Sequence, residues 1–200
     1  MIIGLSSEIS VMSEIADKTG RDKKVVYINT ASNGQSGDKA WLENQVNAIE
    51  NEYWEADRYS IEWKTLNDFQ SDLENYDIIH IWWGNTAYLL FHILDTRFDV
   101  YLREIKNTKI IIGSSAGAII LWISIEHVQA LDDFSVVPIN EFMGLHFFSF
   151  DIWVHFWKEK YREKYNEILD RAYKNSQSWI YISDNSYIIS TDAGIEICNV

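Results

Sequence analysis

The pentapeptide Gly113-Ser114-Ser115-Ala116-Gly117 follows the apolar run Ile110-Ile111-Ile112 and precedes Ala118-Ile119-Ile120. Gly-x-Ser-x-Gly between a strand and a helix is the layout of a nucleophile elbow, a tight turn that holds one serine hydroxyl clear of the sheet. Ser115 is the serine so placed, and Gly113 and Gly117 lack the Cβ atoms that would clash there. The start of the helix aims free N–H groups and the positive end of its dipole at the point where an oxyanion would form. The chemistry implied is nucleophilic attack on a carbonyl carbon.

Such a serine needs a base, and the chain offers His80, His92, His127, His146 and His155. His80 lies within an apolar strand and His92 within an apolar helix, where packing roles are expected. His127 falls at the far end of the elbow helix, roughly three turns from Ser115 and out of reach. His146 precedes a strand and is expected at the opposite end of the sheet. His155 follows a strand, at the same end as Ser115, and is the expected general base. A carboxylate should fix its tautomer. Glu126, Asp132, Asp133, Asp151 and Asp184 are candidates, and spacing alone does not choose among them. Gly84, in Trp82-Trp83-Gly84-Asn85-Thr86, marks a second strand-to-helix turn. Its backbone N–H, with that of Ala116, can form an oxyanion hole. The same turn also reads as an ordinary helix N-cap.

The elements that must position these groups alternate along the chain. Residues 24–29, 59–63 and 78–82 read as strands, and 38–51, 66–73, 86–93 and 100–105 as helices. The elbow strand follows. In the second half, 147–154 reads as a strand, 158–174 as a charged helix, and 179–183, 187–190 and 194–198 as short strands, the last two joined by a turn at Asp192-Ala193-Gly194. Strand–helix alternation implies an α/β fold, a mostly parallel sheet with helices on both faces. Ligands of such sheets bind beyond the carboxyl ends of the strands, where Ser115 falls.

Composition narrows the function. Two hundred residues, 47% of them hydrophobic, suit a single domain spanning 1–200 with a sizeable core. A formal net charge of −13 disfavours nucleic acid and anionic membrane surfaces as partners. One cysteine, Cys198, forms no intrachain disulfide and suits a reducing compartment. With no signal-peptide pattern at the N-terminus and no apolar run of membrane-spanning length, the expected location is cytoplasmic. No cofactor or metal is expected. The oligomeric state is left open, a homodimer included.

Taken in order, Gly84-Asn85-Thr86, Gly113 to Ala118, Gly144-Leu145 through Phe150 to His155, and Ile182-Ser183-Asp184-Asn185-Ser186-Tyr187-Ile188 resemble the dipeptidase E (peptidase E) family of serine peptidases, relatives of the cyanophycinases. The likeness runs from about Lys24 to Cys198, and the serine motif is its most specific part. It implies a three-layer, flavodoxin-like fold related to class I glutamine amidotransferases, with serine replacing their cysteine. It further implies a serine exopeptidase acting on short peptides, N-terminal aspartyl dipeptides among them. Ser115 would be nucleophile and His155 base, with Gly84 and Ala116 as oxyanion donors and Asn85 at the substrate. The family's acid lies after the elbow helix, which points to Asp132 or Asp133; Asp132 is favoured, with Asp184 in reserve. Arg162 is the nearest match to an arginine that grips the substrate's aspartate, a task suited to a guanidinium fork.

The chain departs from the family pattern in two places. Trp83 replaces a glycine beside the oxyanion turn, and Trp153-Val154 replaces an Asp-Pro before the histidine. The bulk of Trp83 motivates an alternative reading, a non-hydrolytic binding or regulatory protein of the same fold. An α/β-hydrolase esterase would place its histidine after the last strand, and no histidine follows His155.

Overall fold

The computed structural model describes residues 1–36, 40–174 and 178–200. In chain order the first elements are β1 (Ile2–Leu5), α1 (Met12–Thr19), β2 (Lys24–Ile28), α2 (Thr30–Asn33), α3 (Ala40–Glu50), β3 (Glu55–Tyr59) and α4 (Leu66–Asp72). There follow β4 (Ile78–Ile81), α5 (Thr86–Asp95), α6 (Phe98–Ile105), β5 (Ile110–Ser114) and the short α7 (Ala116–Ile120). The rest comprises β6 (Asp151–Trp153), α8 (Tyr165–Lys174), β7 (Trp179–Tyr181), β8 (Ser186–Thr191) and β9 (Gly194–Asn199), with short 3₁₀ segments between.

Seven strands form the central sheet in the order β3-β2-β4-β5-β1-β8-β9. The first five run parallel, and β8 and β9 close one side antiparallel. Alternation along each strand supplies both faces of the core. Ile79, Ile81 and Ile111 join Phe69, Leu89, Leu90, Phe98 and Leu102 from α4, α5 and α6 on one face. Ile3, Leu5, Val25, Ile78 and Ile112 join Met12, Ile15, Val46 and Ile49 from α1 and α3 on the other. This is the three-layer, mostly parallel α/β architecture expected from the sequence.

Where expectation and structure differ, the cause is local. The predicted strand 59–63 is displaced: β3 is Glu55–Tyr59, a polar edge strand with little alternation to betray it. Ile61, which suggested the strand, is buried from a loop, and Trp63 is 92% exposed with φ 64°. β1 and α1 are not among the elements expected from the sequence, although β1 lies in the sheet between β5 and β8. The predicted helix 38–51 is observed from Ala40, and its first two positions lie outside the described residues. The elbow helix is far shorter than expected, because α7 ends at Ile120. His127 belongs instead to a separate 3₁₀ segment, Glu126–Ala130, buried edge-on against Trp179.

The second half holds the largest correction. Only Asp151–Trp153 of the predicted strand 147–154 is a strand, and it pairs parallel with β7 in a separate two-stranded sheet. Phe148 and Phe150 instead cluster on Trp122, with Phe148 stacked at 4.1 Å. The predicted helix 158–174 is a 3₁₀ segment, Glu159–Lys164, followed by α8.

Candidate active site

Ser115 sits directly after β5 with φ 49° and ψ −109°, a backbone conformation that a non-glycine residue holds only when its surroundings enforce it. Two contacts enforce it here. The Ser115 N–H donates to the carbonyl of Leu5 at 2.8 Å, and its carbonyl accepts from the N–H of Ile119 at 2.9 Å. The chain then passes so close to β4 that a Cβ on Gly117 would lie 1.9 Å from the Ile81 carbonyl oxygen. Steric need at close approach therefore explains this glycine.

The Ser115 hydroxyl lies 2.9 Å from Nε2 of His155. His155 also has positive φ, 56°, and its backbone N–H donates to Ser6 Oγ at 3.0 Å. Ser6 Oγ in turn donates to the Ile182 carbonyl at 3.1 Å. The β6–β7 ladder continues beyond both strands, with Ile182 N–H donating to the Trp153 carbonyl and Phe156 N–H to the Ile182 carbonyl. That pairing brings Asp184 beside His155, and Asp184 Oδ1 stands 2.5 Å from Nδ1. Ser115 Oγ, the imidazole and Asp184 thus form one continuous hydrogen-bonded line. With Asp184 ionised, Nδ1 carries the proton and Nε2 is left to accept from the serine. Burial pushes the Asp184 carboxyl upward, but the hydrogen bond and charge of His155 and of Lys158, at 2.7 Å, outweigh it and hold it at about 2.

The favoured acid, Asp132, is not hydrogen-bonded to His155. Its Oδ2 accepts from the backbone N–H of Thr86, at 2.8 Å, in the first turn of α5. Burial pushes its carboxyl upward, against that hydrogen bond. The peptide group captured Asp132 because a helix start offers N–H groups without partners. Asp133, the neighbour, is exposed and caps the 3₁₀ segment Phe134–Val136 through Ser135. Asp151 is buried and accepts from the N–H groups of Ser124 and Ile123.

Two further expectations meet different surroundings. Asn85 is spent structurally: its Oδ1 accepts from Tyr88 N–H to cap α5, and its Nδ2 donates to the Asp133 carbonyl at 2.7 Å. Arg162 points away, its side chain 72% exposed and paired with Glu159. Lys158, Lys160 and Lys164 supply the basic groups of the cavity wall instead.

That cavity measures about 440 Å³ and contains Ser115, His155, Gly84, Asp132 and Tyr161 on its wall. Gly84 has φ 148°, and a Cβ there would meet the Ala31 backbone at 2.2 Å, so no other residue fits the turn. Ala116 follows Ser115 as the first residue of α7. Trp83 also lines the cavity, packed edge-on against the buried Trp82 at 5.8 Å, whereas Trp157 is 75% exposed. Burial pushes the Tyr161 hydroxyl up to about 12, with Asp132 and Asp184 adding to the effect, so it remains a donor beside the His155 ring. Ser6, Lys158 and Tyr161 were not anticipated. No motif marks them, since their roles arise from segments far apart in the chain.

A parallel α/β sheet with an elbow serine at its carboxyl edge, in line with a histidine and a carboxylate, is the layout of a serine hydrolase. Comparison with known proteins makes this specific. The model of peptidase family S51 matches residues 3–198, and the chain belongs to that family. It is a serine-type peptidase, as its likeness to dipeptidase E implied. An uncharacterized peptidase of Listeria monocytogenes is 27% identical over 157 residues, covering 78% of this chain and 76% of that one. One from Pasteurella multocida is 25% identical over 152 residues, covering 75% and 73%. The crystal structure of a candidate peptidase E protein from L. monocytogenes superposes with a TM-score of 0.87 at 23% identity, over 100% of this chain and 98% of that one. A peptidase from an acI-B1 actinobacterium shares the fold at TM-score 0.73 and 13% identity, over 100% and 87%.

Proposed function

We propose that the chain hydrolyses short peptides through Ser115, His155 and Asp184. The observation that carries this is the 2.9 Å contact of Ser115 Oγ with His155 Nε2, continued to Asp184 at 2.5 Å. Ser115 Oγ attacks the scissile carbonyl carbon as its proton passes to Nε2. Asp184 holds Nδ1–H and stabilises the imidazolium. The N–H groups of Gly84 and Ala116 receive the oxyanion. As the C–N bond breaks, His155 returns the proton to the leaving amine. Water, deprotonated by the same nitrogen, then releases the acyl group from Ser115.

The substrate is a small peptide, held in a cavity of about 440 Å³, a volume suited to a few residues. The placement of Arg162 weakens the case for aspartate as the required first residue. The lysines of the wall still favour a substrate carboxylate, either an acidic side chain or the C-terminus of a dipeptide. Among the described residues no helix is long and apolar enough to cross a membrane, and a cytoplasmic location accords with that and with the single cysteine. The deciding experiment is turnover of a dipeptide panel by wild type and Ser115→Ala, with labelling by a fluorophosphonate probe. Turnover and labelling confined to wild type are expected. Turnover that survives in the variant would remove Ser115 from the mechanism.

A further inference from the structure

Asp184 is gripped from both ends of one tight turn. His155, Phe156, Trp157 and Lys158 form a bend closed by the Lys158 N–H, which donates to the His155 carbonyl at 3.0 Å. Among the described residues six non-glycine residues have positive φ, and two of them, His155 at 56° and Trp157 at 65°, lie in these four positions. Strain concentrated in this way persists only where the surroundings enforce it. Here Phe156 N–H donates to the Ile182 carbonyl, and the Lys158 carbonyl accepts from Tyr161 N–H at 2.9 Å and from the Tyr165 hydroxyl at 3.3 Å. Burial of a side chain does not explain the bend, because Trp157 is left 75% exposed. What the bend achieves is direction. It turns Lys158 back toward the carboxylate that His155 already holds, with His155 Nδ1 2.5 Å from Oδ1 of Asp184 and Lys158 Nζ 2.7 Å from Oδ2.

As a contribution to folding this ion pair is small, since its side chains are 41% and 30% exposed. Its effect on the imidazole matters more. A carboxylate with one oxygen tied to an ammonium is held against rotation away from Nδ1. Its negative charge is also shared between two cations whenever His155 is protonated. We infer that Lys158 is a positioning residue: it fixes Asp184 with Oδ1 on the imidazole and, by drawing on the same negative charge, keeps His155 free to accept the serine proton at lower pH than Asp184 alone would allow. This rests on the reading of Ser115, His155 and Asp184 as nucleophile, base and acid. No other charged or titratable group facing the pair duplicates the role among the described residues. Tyr161, with its ring 5.7 Å from that of His155, is pushed by burial up to about 12 and carries no charge in the range of activity. Asp132 attracts a protonated His155 and so acts in the opposite sense. Lys164 is held by the Ala130 carbonyl at 2.5 Å, Lys160 lies over the Tyr161 ring, and Glu8 is turned to His80.

The test follows the rate at which a fluorophosphonate labels Ser115 as a function of pH. This probe has no carboxylate for the lysines of the wall to hold, so it reads the base and not substrate binding. In wild type labelling should fall on the acid side as His155 takes up a proton. Lys158→Met keeps the stem and removes the charge. Its acid limb should lie about half to one pH unit higher, the effect of one unit charge lost beside a part-exposed imidazole. The sign follows because a nearby cation disfavours the imidazolium, and removing it favours that form. Lys158→Arg keeps a cation and should keep the wild-type limb. The shift should persist in an Asp132→Asn background and narrow in about 1 M salt, where exposed charges are screened. An unmoved limb in Lys158→Met overturns the inference, even if labelling slows at every pH, because Lys158 would then only brace the turn. So does a limb that moves equally in Lys158→Arg, or a shift that vanishes with Asp132→Asn. Should Lys158→Met fail to fold, Lys158→Gln carries the same measurement and the same expectation. Failure of the catalytic reading looks different: Ser115 of wild type then resists the probe at every pH.

Discussion

Ser115 and His155, the proposed nucleophile and base, are positioned in different ways. Around Ser115 most determinants lie within one short stretch, an apolar strand, two glycines and an apolar helix start at residues 110–120, joined by two distant contacts, the Leu5 carbonyl and the Ile81 backbone. Around His155 they come from three separate parts of the chain. Ser6 fixes its backbone, Asp184 its ring, and the pairing of β6 with β7 sets the distance between them. Both residues have positive φ, yet only the first is announced by a motif. A nucleophile that must be strained needs local sequence to strain it. A base needs only to be delivered, and a small second sheet does that from any sequence that pairs.

The sharpest way to break this comparison is at its common point. Ser115→Ala should lower kcat/KM by about 10⁴-fold or more, leaving the far-ultraviolet circular dichroism unchanged. Next comes the choice of acid. Asp184→Asn should cost about 10³- to 10⁴-fold in kcat, through loss of the Nδ1 partner and its tautomer. Asp132→Asn keeps an acceptor for Thr86 N–H and should cost about tenfold or less, since one hydrogen bond of roughly 1 kcal/mol is at stake. Steady-state kinetics on both variants would reverse the assignment if the order were inverted.

Ser6→Ala tests whether the base is positioned from a distance. Its expected cost is about tenfold in kcat with KM little changed, and it is checked against a thermal midpoint within a few degrees of wild type. An acid titration sharpens the same region. Folding lowers the Asp184 pKa from 3.8 to about 2. Such a carboxylate stabilises the fold above its unfolded pKa and loses that contribution as pH falls through the folded one. The stability difference between wild type and Asp184→Asn should therefore be full above about pH 4 and close toward pH 2, measured by urea unfolding at each pH. The smallest effect is expected at Arg162→Ala, within about twofold in kcat/KM, because an exposed ion pair contributes little. A large rise in KM on acidic dipeptides would restore Arg162 to the substrate.

Much of the fold was legible because a parallel sheet buried on both faces writes itself as apolar runs, as at residues 78–81 and 110–112. β3 was misplaced because an edge strand need not be apolar. β1 is not legible because four residues beside the N-terminal residue give too little pattern, though its Leu5 carbonyl holds the Ser115 N–H. At the site, the sequence by itself singled out Ser115 and the glycines around it, which share one short stretch, and His155, by its place after a predicted strand. Only the tertiary structure brings Asp184, and not Asp132 or Asp133, into hydrogen-bond contact with His155, turns Arg162 outward, and puts Ser6 on the cavity wall. The physical reason lies in competition. A carboxylate binds whichever donor the packed chain brings nearest, and for Asp132 that donor is the start of α5, while for Asp184 it is the imidazole.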